Sequence, residues 1–296
     1  MHVSFNHKGA ASPERQSNVF IWSRLIRGNF MYDAVTGYCL PFRYGSPVAQ
    51  ARFGKGERQI GGVRFVQCED NEAVGRAAAE LVEKTLLQKP DASIVFPTGN
   101  TPLRMYQALR RTPYSLWARS RLFHLDEYVP PAGYQGPVKY ESYQEYMRRE
   151  LFDCVGGEKY YMQHYMDRLG EYDRLVKANG GPDLVILGIG GNGHVAFNEP
   201  GSAKDAPTRI IELEERTIRD NFGSVGKRGY PTRAATLGLD TILQAKHILL
   251  LATGEGKRAV VEKAFDPETP PSSECPASWL KNHPNVTVLT DFNVFP

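Results

Sequence analysis

From Gly61 onward the chain repeats one unit: a short apolar run, a turn of small residues, then a stretch with helical spacing. Val63–Val66 is the first run. Asp70 is placed to cap a helix over Asn71–Leu87, where Val74, Ala77, Ala78, Leu81 and Val82 form the apolar stripe. Ala92–Phe96, Arg121–Leu125, Asp183–Leu187, His247–Ala252 and Val286–Leu289 read as further strands. Helices are expected from Pro102 and over Ser142–Phe152, Glu171–Ala178 and Arg258–Phe265. Short unbroken apolar runs belong to strands buried on both faces. The expectation is therefore an α/β fold, an open and mostly parallel sheet with helices on both faces. In such sheets ligands sit beyond the carboxyl ends of the strands, and the loops there are where chemistry is expected.

The 296 residues are 41% hydrophobic and 23% charged, a globular balance that excludes a mainly disordered chain. No apolar run approaches the roughly 20 residues of a membrane span. Charge is uneven: residues 1–60 hold eight basic and three acidic residues, whereas the remainder holds 28 and 30. The basic character thus belongs to residues 1–60, which lack a sustained period of 2 or 3.6 and read as an extension ahead of a body at 61–296. No basic stripe marks a folded module, so neither nucleic acid nor membrane is an expected partner. Cys39, Cys68, Cys154 and Cys275 are scattered without a C-x-x-C pair. That fits buried thiols in a reducing, cytoplasmic setting better than a zinc site or a disulfide framework.

Four loops at strand ends can carry chemistry. In Phe96–Pro102, small residues turn between a strand and a helix, with Thr101 as the expected N-cap and Pro102 at the first helical position. Backbone N–H groups and the helix dipole there favour a phosphate. The second loop, His124–Tyr128, places Asp126 and Glu127 side by side at a strand end, where they face different ways, so that at most one of them meets a given substrate atom and is suited to proton transfer. The third runs from Gly188 to Gly201 and carries Asn192, His194 and Glu199 among five glycines. Its Gly188, Gly190 and Gly193 satisfy G-x-G-x-x-G, yet Pro200-Gly201 leaves no room for the helix a dinucleotide requires. Histidine is the one side-chain type in this loop whose ordinary pKa lies near neutrality, and Glu199 is within reach to orient His194. The fourth, Thr253–Lys257, is not a Walker A loop, since Leu251 and Arg258 occupy its first and last signature positions; Lys257 remains a point charge suited to a phosphate.

Taken in order, Pro97–Pro102 (PTGNTP), His124–Val129 (HLDEYV), Asp183–Gly201 (DLVILGIGGNGHVAFNEPG) and Cys275–Asp291 (CPASWLKNHPNVTVLTD) resemble the glucosamine-6-phosphate deaminase family, in one superfamily with the 6-phosphogluconolactonases. The G-H-x-A-F-N-E-P string points to the deaminase branch, because the lactonases differ after Gly-His. The resemblance covers about Gly61 to Asp291 and implies an open, Rossmann-like α/β sheet. It also implies conversion of an amino-sugar phosphate to fructose 6-phosphate plus ammonia, with no metal and no redox cofactor. Carried over by position, Asp126 is the base that moves a proton from carbon 2, and His194 opens the pyranose ring with Glu199 orienting it. Thr98, Gly99, Asn100, Thr101 and Lys257 hold the phosphate.

This chain departs from the family pattern at several positions. Asn192 stands where many members have Asp, and Ile211 where a basic residue serves an effector. Gly223 replaces an arginine, for which Arg219, Lys227 or Arg228 is the expected substitute. A homo-oligomer is compatible with the resemblance, but hexameric, effector-activated behaviour is not expected. Two other functions remain open at this point: a lactonase-like hydrolase in which His194 activates water, and a sugar-phosphate sensor without turnover.

Overall fold

The computed structural model describes residues 24–27, 30–33, 39–41, 54–131, 133, 138–223 and 229–295. Two compact units divide at Arg52/Phe53. In the first, strands β1 (Arg24–Arg27), β2 (Phe30–Asp33) and β3 (Cys39–Pro41) pair antiparallel in that order.

The second unit is built on an eight-stranded sheet of order β4-β5-β14-β13-β10-β6-β7-β9. Its strands are β4 (Gly54–Ile60), β5 (Val63–Cys68), β6 (Ser93–Phe96), β7 (Arg121–His124), β9 (Glu158–Tyr160), β10 (Leu184–Gly188), β13 (Ile248–Ala252) and β14 (Val286–Thr290). All neighbours pair parallel except β4 with β5. The body therefore begins earlier than residue 61: Gly54–Ile60 turns at Gly61-Gly62 and lies antiparallel along β5 as the sheet edge. Its sequence, GKGERQI, is mostly polar, which suits an edge strand and hides it from a search for apolar runs.

Strand residues alternate between two buried clusters, one on each face of the sheet. Val185, Leu187, Ile248 and Leu250 pack with Tyr172, Val176, Val261 and Phe265, from helices α5 (Leu169–Lys177) and α8 (Arg258–Phe265). Leu184, Ile186, Leu249 and Leu251 pack on the other face with Val74, Ala78, Val82, Met105, Trp117 and Met147. Those residues come from α1 (Asn71–Gln88), α2 (Leu103–Leu109), α3 (Tyr114–Trp117) and α4 (Tyr143–Glu150). A parallel sheet covered on both faces explains why its strands lack polar alternation. Among the described residues no helix is long and apolar enough to cross a membrane.

Asp70 caps α1 as expected, accepting from the Ala73 N–H at 2.7 Å. Asp70→Ala should lower stability by about 1 kcal/mol, read as a fall in melting temperature. Thr101, by contrast, is not the N-cap of the next helix. Pro102 takes that position and α2 starts at Leu103, because Thr101 and Pro102 still belong to the turn.

A second, antiparallel sheet was not foreseen. It comprises β8 (Asp126–Val129), β11 (Arg209–Glu212) and β12 (Arg233–Thr236), in the order β11-β12-β8. The chain leaves the parallel sheet at Leu125, whose N–H donates to Phe96 O at 3.1 Å and whose carbonyl accepts from Leu237 N–H at 2.8 Å. Asp126 is the first residue beyond that switch. Tyr128, Phe197, Leu213, Ile218 and Ala234 form a separate small core beneath this sheet, joined by α6 (Glu215–Phe222). The remaining short helix, α7 (Leu239–Ile242), packs in the first cluster.

Candidate active site

The four loops converge on one cleft of about 230 Å3 at the carboxyl ends of β6, β7, β10 and β13. Thr98, Gly99, Asn100, Thr101, Asp126, His194 and Lys257 all line it, together with Tyr143, Ala196, Phe197 and, from α6, Thr217, Asp220 and Asn221. Glu199 and Asn192 are not on its wall; they stand behind His194.

Asp126 is 5% exposed. Its Oδ1 accepts from the Thr236 hydroxyl at 2.6 Å and from the Phe197 N–H at 3.1 Å, which leaves Oδ2 for the cleft. Burial pushes its carboxyl from 3.8 up to about 7, against the lowering effect of those two hydrogen bonds and of His194. His124, directly below, is fully buried. It accepts from Met162 N–H at Nε2 (2.9 Å), so its Nδ1 carries the proton and donates to Asp126 O at 2.8 Å. Burial lowers His124 to about 4, keeping it neutral as a backbone anchor.

Glu127 does not line the cleft. Its carboxylate receives the N–H groups of Tyr128, Tyr143 and Gln144 at 2.8–2.9 Å, the last two at the start of α4. Burial raises its pKa in spite of these donors.

The glycine-rich loop holds His194 from two sides. Nδ1 meets Glu199 Oε2 at 3.1 Å. Burial alone would raise Glu199, but His194, Thr217 and Asn192 outweigh it, and its pKa lies below the ordinary value. An ionised Glu199 only accepts, so Nδ1 carries the ring proton and Nε2 is the nitrogen offered to the cleft. Gly190 passes under the imidazole so closely that a Cβ built there would lie 2.3–2.4 Å from three ring atoms. Farther along, Val195–Asn198 is a tight turn with Ala196 at φ +53°, a strained value for a residue with a side chain. That turn aims the Phe197 N–H at Asp126.

At the other end of the cleft, the Thr98–Thr101 loop turns at Gly99 with φ +95° and is held from behind by tyrosine hydroxyls, Tyr106 on Pro97 O and Tyr146 on Gly99 O. Lys257 reaches across from the turn before α8 and donates to Ile189 O at 2.7 Å. Burial lowers its pKa. Gly223 ends α6 in the left-handed conformation, φ +75°, which accounts for a glycine there. Arg219 faces Glu215 at 3.7 Å on the exposed side of α6, while Lys227 and Arg228 lie outside the described residues.

Sequence reasoning missed Thr236, Thr217, Tyr143 and Glu214. Each reaches the site from an element whose approach is set only by the tertiary fold: β12 pairs Thr236 opposite Asp126, and α6 brings Thr217 Oγ1 to Glu199 Oε1 at 2.6 Å.

The cleft thus sets a carboxylate, an oriented imidazole and an anion-suited loop at the carboxyl edge of a Rossmann-like sheet. Residues 69–289 match the model of the glucosamine-6-phosphate isomerases/6-phosphogluconolactonase family, and the chain belongs to that family. It is 38% identical over 242 residues to a glucosamine-6-phosphate deaminase of Bacillus pumilus, covering 77% of this chain and 97% of that protein. It is also similar to the solved structure of a monomeric glucosamine-6-phosphate deaminase, with TM-score 0.67 and 31% identity, over 76% of this chain and 96% of that one. The 6-phosphogluconolactonase of Trypanosoma brucei shares the fold, with TM-score 0.60 at 19% identity, over 79% of this chain and 97% of that one.

Proposed function

We propose that this chain is a glucosamine-6-phosphate deaminase, which converts its substrate and one water to fructose 6-phosphate and ammonia. The observation that carries the reading is the convergence, in one cleft, of a buried carboxylate, an imidazole tied to Glu199, and a glycine-turned loop facing a lysine. The relatives at 31% and 38% identity support the deaminase branch over the lactonase one.

Residues take these parts. The Thr98–Thr101 loop and Lys257 hold the phosphate, fixing the sugar by contacts remote from the reacting carbons. His194, through Nε2, moves the proton that opens the pyranose ring, with Glu199 stabilising the charge the imidazole gains. Asp126 removes the proton from carbon 2 and returns it to carbon 1, leaving an imine at carbon 2. Water then hydrolyses the imine and ammonia leaves. A carboxyl that titrates near neutrality suits a group that must take up and release the same proton.

Ammonia release from glucosamine 6-phosphate, beside galactosamine 6-phosphate and a phosphogluconolactone, tests the reading. Ammonia that falls about 10²–10⁴-fold in His194→Ala is expected. Acid release from the lactone without ammonia from either amino sugar would instead establish the hydrolase, and binding without turnover the sensor. The pH profile has a defined sign. Asp126 must be ionised to accept the carbon-2 proton, so kcat/KM should climb as pH rises through about 7 and level off above it. An acidic limb near 4 would remove Asp126 from that part.

A further inference from the structure

Behind His194, one amide joins two carboxylates. Asn192 Nδ2 donates to Glu199 Oε2 at 2.8 Å and to Glu214 Oε2 at 2.9 Å, while Asn192 Oδ1 accepts the His194 N–H at 3.2 Å. Both amide hydrogens and the amide oxygen are therefore in use. Glu214 is the N-cap residue of α6, yet it makes no side-chain cap to its own helix; its carboxylate is committed to Asn192 instead. A second tie from α6 reaches the same group, since Thr217 donates to Glu199 Oε1.

We infer that Glu214 is a positioning residue of the proposed deaminase: it delivers a second negative charge to the His194–Glu199 pair from α6, with Asn192 as the link. The inference rests on the deaminase reading for its kinetic consequences, though not for the hydrogen bonds. An aspartate at 192 would place three carboxylates together with no hydrogen between them. An asparagine there lets Glu214 sit beside Glu199 without that repulsion. Position 192 and position 214 thus divide one amide and one carboxylate between loop and helix, and the charge behind His194 depends on α6 being in place.

Among the described residues, charged and polar groups face this cluster from several elements. Glu199 lies on the same loop, and Asp126 acts on His194 from β8. Glu214 and Arg216 come from α6, the latter's guanidinium against Gly191. Lys257 touches the loop at Ile189, and the Cys275 thiol lies under Gly193. Of these, Glu214 alone is both charged and joined to the His194–Glu199 pair through a single side chain.

The test combines a charge removal with an exchange. Glu214→Gln keeps an acceptor for Asn192 but removes the charge, so the imidazolium loses a stabilising neighbour. Its His194 resonance in an NMR titration should move to lower pH by roughly 0.5 unit, with KM unchanged and kcat down about threefold as the imidazole becomes a weaker base. Asn192→Asp should cost at least about tenfold in kcat through carboxylate repulsion. The double variant Asn192→Asp/Glu214→Gln returns an amide to the cluster at the other position, and it should recover most of that loss. An unmoved His194 titration in folded Glu214→Gln, or a double variant no better than Asn192→Asp, overturns the inference. Failure of the wild type to release ammonia would sink the deaminase reading alone, because the NMR titration reads the charge on His194 without turnover.

Discussion

Asp126→Asn is expected to lower ammonia release by at least about 10²–10⁴-fold while raising the melting temperature at pH 8. Activity falls because an amide cannot accept the carbon-2 proton. Geometry is preserved: Asn Oδ1 can accept from the Thr236 hydroxyl and the Phe197 N–H just as the carboxylate Oδ1 does. Stability rises because the native carboxyl is raised by burial, from 3.8 to about 7. The unfolded chain ionises Asp126 above 3.8 and the folded chain only above about 7, so the wild type loses stability across that window and stays at the lower value beyond it. The loss has an upper bound of about 4 kcal/mol, and the variant is free of it. The pairing of lost turnover with gained stability is what separates a functional carboxylate from a structural one. Scanning calorimetry at pH 5 and pH 8, beside the ammonia assay and a phosphate-protected binding measurement, reads both. A variant that is less stable than wild type at pH 8 would show that Asp126 holds the fold rather than the proton.

The same reasoning explains which parts of this molecule were legible in its sequence. Strands β6, β10, β13 and β14 are buried on both faces, so they appear as short, largely apolar runs, and β6, β7, β10 and β13 end where the four loops begin. The cleft was readable because a parallel sheet forces those loops to one edge. The second sheet carried no comparable signal. RIIE in β11 has only alternate positions partly buried, RAAT in β12 is poor in strand-favouring residues, and DEYV in β8 opens with two acids. What pairs them is long-range contact, Thr236 opposite Asp126 across 110 residues. Three of the four supports that sequence reasoning missed enter through that sheet or at α6, and the fourth, Tyr143, comes from α4. Thr236 fixes Asp126, Thr217 fixes Glu199, and Glu214 reaches Asn192 across 22 residues. The residues offered to a ligand were thus visible, while those that orient them were not, because orientation is a property of packing between distant elements.

Gly190→Ala tests that orientation directly and is expected to lower ammonia release about as far as deleting the imidazole, by roughly 10²–10⁴-fold. Gly190 is not among the residues with positive φ, so the backbone accepts alanine without strain. The obstacle is the added methyl, which would fall 2.3 Å from His194 Cε1 and 2.4 Å from Nδ1 and Nε2. Contacts that short cannot persist, and the loop backbone is pinned by Gly190 N–H to His194 O at 2.9 Å and Gly193 N–H to Gly190 O at 3.0 Å. The imidazole must therefore swing away, breaking its 3.1 Å pair with Glu199 and withdrawing Nε2 from the cleft. Gly191→Ala supplies the contrast from the next residue. Its Cβ meets the end of the Arg216 side chain at 2.5 Å, and Arg216 is a flexible, largely exposed group that can step aside. Gly191→Ala should thus keep activity within a few-fold of wild type, and its NMR titration of His194 should be unaltered. Equal losses in the two variants would mean that the loop tolerates no added methyl anywhere, and a Gly190→Ala enzyme within threefold of wild type would mean that His194 works without the seat Gly190 provides.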